Sequence, residues 1–165
     1  MQADLVAQVI EQWRVARPDL DPSPIGVIGR LNRLSRFVTD DLVALYRRFG
    51  LSEGEFDVLA TLRRTGAPFA LAPSALVGAT MVTKGAVSKR VDALEAKGLV
   101  AREAVEHDGR ARIVRLTDAG IALIDEAVVA HLENERRILA ALPAGDRAAL
   151  ERILAAWAAH YELGD

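Results

Sequence analysis

A mainly α fold carrying one β-hairpin is predicted by three observations. Apolar residues recur at steps of three and four through most of the 165 residues. After Gly98 the pattern changes to two short alternating runs around Asp108-Gly109, a strong hairpin signal. Immediately before that change stand three helical segments joined by short turns, the last of them basic.

The elements follow in order. Residues 3–17 read as a short amphipathic helix with Leu5, Val6, Val9, Ile10 and Trp13 on one side, ended by Pro18 and the polar stretch RPDLDPSP. Ser23 stands where an N-cap belongs and Pro24 at the first helical position. From there Ile25, Ile28, Leu31, Leu34, Val38, Leu42, Leu45 and Phe49 form one apolar stripe closed by Gly50. A stripe this long in a small protein reaches beyond its own core and favours dimerisation. Ser52 and Glu55 have capping-box spacing, with Leu51 and Phe56 placed for a hydrophobic staple, and the helix runs to Gly66. A short helix follows Pro73, and TKGAVSKRVDALEAKGLV reads as a helix capped by Thr83 and ended by Gly98. Beyond the hairpin, Thr117 caps a long helix ending near Leu142 and Pro143, and a last helix carries Leu150, Ile153, Leu154 and Trp157. The tally is five or six helices with a single inserted hairpin. It divides into N-terminal helices over 1–50 for dimerisation and a ligand cleft, a winged helix-turn-helix over 51–116, and C-terminal dimerisation helices over 117–165.

Composition narrows the function. A hydrophobic fraction of 51% supports a packed core. The absence of cysteine excludes disulfides, thiolate zinc sites, iron–sulfur clusters and thiol redox sensing. No apolar run approaches the ~20 residues of a membrane span, and the start MQADLVAQVIEQW lacks a basic leader with an apolar block. The expectation is a cytoplasmic protein with no membrane partner. The net charge of −2 is unevenly spread: residues 81–116 hold 8 basic and 5 acidic side chains, whereas 117–165 hold 4 and 9. A basic middle between neutral and acidic flanks suits a localised polyanion contact.

On a helical wheel Val87, Val91 and Leu94 fall together and face the core, while Gly85, Ser88, Lys89 and Asp92 lie opposite, with Lys84 in the first turn. Small side chains, a hydroxyl and lysines at a helix start suit entry into a major groove about 12 Å wide. Arg110, Arg112 and Arg115 follow the tight turn, and Arg110 near the tip suits a narrow minor groove. Asp108 is placed to hold that guanidinium in one rotamer. A helix for one groove and a hairpin for the other make a winged helix.

These residues resemble the MarR (multiple antibiotic resistance regulator) family of bacterial winged-helix transcription factors, over nearly the whole chain. TKGAVSKRVDALEAKGLV is similar to the family's recognition helix and DGRARIVRLTDAG to its wing and following helix. The resemblance implies a homodimer on a pseudo-palindromic double-stranded operator, most simply a repressor, with no cofactor. It maps DNA contacts onto Thr83, Lys84, Ser88, Lys89 and Arg90, and onto the wing residues Asp108, Arg110 and Arg112. The extra N-terminal helix also resembles the urate-responsive branch, whose ligand residues map onto Trp13, Asp57, Arg90 and Arg102. That implies a small anionic effector such as urate, xanthine or an aromatic carboxylate.

Read physically, Arg90 lies about 60° from Val87 on the wheel and flanks the buried stripe. A planar anion could pair with Arg102, stack near Trp13 and repel Asp57. The alternative is a structural ion pair of Asp57 with Arg102 or Arg90. His107, His131 and His160 have no ligand-like spacing, so no metal is expected. The rival function is a small-molecule-binding protein or enzyme using the cleft near Asp57 and Arg102 without DNA.

Overall fold

The computed structural model describes residues 4–80, 84–105 and 108–162; Thr83, expected as an N-cap and DNA contact, and His107 lie outside them. The elements are α1 Leu5–Ala16, α2 Ile25–Arg48, α3 Glu53–Arg64, β1 Ala70–Leu71, α4 Pro73–Ala79, α5 Lys84–Ala96, β2 Val100–Val105, β3 Asp108–Leu116, α6 Asp118–Leu139 and α7 Ala144–Glu162. Among the described residues seven helices stand, one for each helical segment named from the sequence, where the tally was five or six. The hairpin is joined by a third strand: β1 pairs with β3, Ala70 opposite Arg115 and Leu71 opposite Val114, giving the order β1-β3-β2. Two residues are too few to show a period, so β1 left no pattern to read.

Local chemistry accounts for the helix starts. Asp4 accepts from the Ala7 amide at 2.8 Å and so caps α1. The capping box of α3 is complete, the Ser52 hydroxyl accepting from the Glu55 amide and the Glu55 carboxylate from the Ser52 amide. Thr117 accepts from the Gly120 amide at 3.0 Å and donates to the Gly98 carbonyl at 2.7 Å, joining the start of α6 to the turn after α5. Gly98, at a φ of +70°, supplies the left-handed turn that ends α5.

The chain separates into two compact units, Met1–Ala44 and Leu45–Asp165. In the first, Val6 packs against Gly29, and Arg30 pairs with Asp4 at 2.7 Å. In the second, α3, α4, α5, α6 and the sheet enclose a core that includes Leu59, Leu62, Leu76, Val87, Val91, Leu94, Val114 and Ile124. The buried stripe of α5 is the one its wheel predicted. On α2, Val27, Ile28, Leu34 and Phe37 stay exposed, as do Ile153, Leu154 and Tyr161 on α7.

Candidate DNA interface and effector cavity

The outward face of α5 follows from its buried one. With Val87, Val91 and Leu94 turned inward, Gly85, Ser88, Lys89 and Asp92 are exposed. The strands β2 and β3 run antiparallel from Val100 opposite Leu116, with an irregularity between Ala104 and Val105 and Asp108 opposite Val105 near the turn. Arg112, opposite Ala104, is exposed. Lys84, Asp108 and Arg110 are placed by their backbone alone: the first residue of α5, and the first and third of β3.

Behind α5, the second unit holds a cavity of about 680 Å³ lined by Tyr46, Glu53, Gly54, Phe56, Asp57, Ala60, Arg64, Thr80, Arg90, Val128 and His131. One wall is aromatic. The rings of Tyr46 and Phe56 stack at 4.2 Å, and His131 lies 5.0 Å from Phe56. The Tyr46 hydroxyl is 3.2 Å from His131 Nδ1, and His131 Nε2 is 3.2 Å from Glu135. In the neutral imidazole this chain runs from Tyr46 to Nδ1 and from Nε2–H to the carboxylate. Burial, reinforced by Glu135, Glu53 and Asp57, pushes the Tyr46 phenol up to about 12, so it stays a neutral donor.

The opposite wall is charged. Burial pushes the Asp57 carboxyl above its ordinary value; Arg64 and Arg90 oppose that rise, and Glu53 adds to it. Arg64 also donates to the Ala79 carbonyl at 3.1 Å, anchoring it to the end of α4. The Arg90 guanidinium rests against Gly54, where a Cβ would fall inside it. An arginine of α5 therefore forms part of a cavity floored by α3.

Of the four ligand residues drawn from the sequence, the second unit holds three, in two places. Asp57 and Arg90 share the cavity. Trp13 lies in the first unit, 45% exposed, beside Leu20, Pro22 and Ile25. Arg102, on β2, pairs with Asp92 at 2.5 Å and with Glu95, and adjoins a small pocket with Val87, Ser88, Val91 and Val114. Sequence reasoning missed Arg64 and Tyr46, and considered His131 only as a metal ligand, which its spacing ruled against. Tyr46 and His131 are 85 residues apart, so the one local hint was the His131–Glu135 spacing of four. Among the described residues no cluster of His, Asp or Glu could hold a metal, and no helix is long and apolar enough to cross a membrane.

Residues 49–111 match the MarR family. The chain is 42% identical over 149 residues to the HTH-type transcriptional regulator PecS of Dickeya dadantii (strain 3937), covering 90% of each. The chain belongs to the MarR family. Among solved structures, MarR-family Sco3205 of Streptomyces coelicolor, crystallised with DNA, aligns with a TM-score of 0.72 at 22% identity over 82% of this chain and 86% of its own. Bordetella bronchiseptica BpsR, whose DNA binding is regulated by 6-hydroxynicotinic acid, aligns at 0.64 and 26% identity over 78% and 98%. This MarR-family chain is accordingly a DNA-binding transcriptional regulator and not an enzyme, which sets aside the rival reading from the sequence.

Proposed function

We propose that the chain is a homodimeric repressor released from a pseudo-palindromic operator by a small planar anion held between Asp57, Arg64 and Arg90. The observation that carries this reading is Arg90: a side chain of the candidate DNA-reading helix lines the cavity. Thr83, Lys84, Ser88 and Lys89 meet the major groove, and the wing residues Arg110 and Arg112 meet the minor groove. The exposed apolar residues of α2, and likewise those of α7, lie in the segments 1–50 and 117–165 that serve dimerisation, while 51–116 carries the DNA contacts. The complex works in the cytoplasm, where the operator is.

An incoming anion pairs with the two arginines and places negative charge beside a carboxyl that burial already disfavours in its ionised form. The aromatic wall of Phe56, Tyr46 and His131 stacks on its ring. Urate, xanthine and aromatic carboxylates have that shape and charge, as does the 6-hydroxynicotinic acid that regulates BpsR. Trp13 offers an exposed indole for the same kind of ring. Re-pairing Arg90 biases the seat of α5 and lowers operator affinity.

The test uses a duplex recovered from random-sequence DNA by the wild-type protein. Titrating urate, xanthine or salicylate into that complex is expected to weaken it by about 5–150-fold, a coupling of ~1–3 kcal/mol. No shift with any of the three overturns the effector reading. On the DNA side, affinity should fall by about 10³–10⁵ between ~50 and ~200 mM salt if roughly 6–10 phosphates are contacted. Arg110→Ala should weaken the complex and leave the fold intact; unchanged affinity removes the wing contact.

A further inference from the structure

Arg102 does not share the Asp57–Arg90 cavity, and its guanidinium is already committed. One terminal nitrogen donates to Asp92 at 2.5 Å and the other to Glu95, while the Arg102 amide donates to Glu95 Oε1 at 3.2 Å. Both carboxylates belong to α5, and Arg102 belongs to the first wing strand. Ser88, Asp92 and Glu95 follow one another at helical spacing, so the two acids continue the stripe that begins with the candidate DNA-reading hydroxyl. Asp92 and Glu95 keep 62% and 40% of their side chains exposed, against 31% for Arg102. Two bare negative charges on that stripe would repel a phosphate backbone.

We propose that Arg102 is a positioning residue for DNA: it ties the wing to the recognition helix and masks Asp92 and Glu95 from the polyanion. The planar fork of arginine suits the task, since it reaches two separate carboxylates at once where a lysine offers a point charge. The inference rests on the DNA-binding reading and is independent of any effector. It gives Arg102 a different role from the ligand contact that the family resemblance implies.

The experiment measures affinity for the duplex recovered by the wild-type protein, with no effector present and circular dichroism monitoring the fold. Arg102→Ala is expected to bind about fivefold more weakly at low salt, with the gap closing to within about twofold near 0.3 M as screening removes the repulsion. Adding Asp92→Asn and Glu95→Gln to Arg102→Ala should restore affinity to within about twofold of wild type, because the masked charges are then gone. Wild-type affinity in Arg102→Ala overturns the proposal. So does a loss that the two neutral substitutions fail to restore, since Arg102 would then meet the DNA itself. Should Arg102→Ala alone fail to fold, the triple variant is compared with Asp92→Asn/Glu95→Gln: equal affinity supports masking, and weaker binding by the triple variant overturns it. A wild-type protein that retains no duplex would overturn the regulator reading along with this one.

Discussion

Glu55 and Asp57 stand two residues apart on α3, and the fold treats them in opposite ways. Glu55 is almost fully buried and fully partnered: its carboxylate accepts from the Ser52 amide at 2.7 Å, the Ser52 hydroxyl at 2.8 Å and Lys97 at 2.5 Å. Lys97 donates also to the Gly50 carbonyl at 2.9 Å, so one corner joins the end of α2, the start of α3 and the end of α5. Burial raises the Glu55 carboxyl, but the bonds from Lys97 and Ser52 outweigh it and hold it below its ordinary value. At Asp57 burial prevails over the more distant attraction of Arg64 and Arg90. A satisfied carboxylate stabilises the structure; one whose cations stand back leaves room for another anion to compete. The corner holds α3 and α5 together, and the cavity is where that arrangement can be biased.

The largest expected effect is at the corner. Glu55→Ala removes half of the capping box and leaves Lys97 without its carboxylate, and should cost about 2 kcal/mol, read from the urea midpoint. Because the folded value lies below the unfolded one, this contribution is present above about 4.5 and is lost as pH falls through the folded value. Acid unfolding of wild type should therefore show a steeper loss below that point than Glu55→Gln shows. A Glu55→Ala midpoint equal to wild type would erase the contrast between the two carboxylates.

The middle effect is at Gly54, and it separates stability from response. A methyl there meets the end of a flexible Arg90 side chain, not backbone, so Gly54→Ala should fold with a stability change under about 1 kcal/mol, helped by the better helix propensity of alanine. Arg90 must leave its seat, however, and the effector-induced loss of DNA affinity should shrink at least several-fold. A full effector response in Gly54→Ala would show that the seat plays no part in the coupling. Gly120 is the useful control in the same unit: its Cβ would run into the Leu99 carbonyl, a backbone atom that cannot swing aside, so Gly120→Ala should lower stability more than Gly54→Ala.

What the sequence disclosed and what it withheld divide along the same line. The Ser52–Glu55 box is a three-residue spacing, and the buried stripe of α5 is a helical period, so both are written locally. Arg90 flanking that stripe was legible for the same reason. Lys97 as the partner of Glu55 lies 42 residues away, and the Tyr46–His131 wall closes over 85, distances that no period records. Arg102 shows the intermediate case: its partners are 7 and 10 residues back, across the turn at Gly98. The wheel and the hairpin were each predicted, but not the angle at which they meet, and that angle delivers Arg102 to Asp92 and Glu95 rather than to Asp57. β1 is invisible for a further reason, since a two-residue strand exists only through its partner.

The smallest expected effect sharpens the comparison most, because its sign is opposite to that at Glu55. Asp57 has a folded value above its unfolded one, so the fold favours the protonated form. The associated stability is fully present below about 3.8 and is lost as pH rises through the folded value, above which the carboxylate is ionised and half-buried. Asp57→Asn keeps the shape without the charge. Above the folded value it should raise the melting temperature by about 1 °C, and the gain should vanish below the unfolded value, where the wild-type carboxyl is already neutral. An Asp57→Asn variant that melts lower than wild type at neutral pH would mean that Arg64 and Arg90 already compensate the charge in full. The cavity would then be a second closed corner like the one at Glu55, with no electrostatic opening for an incoming anion.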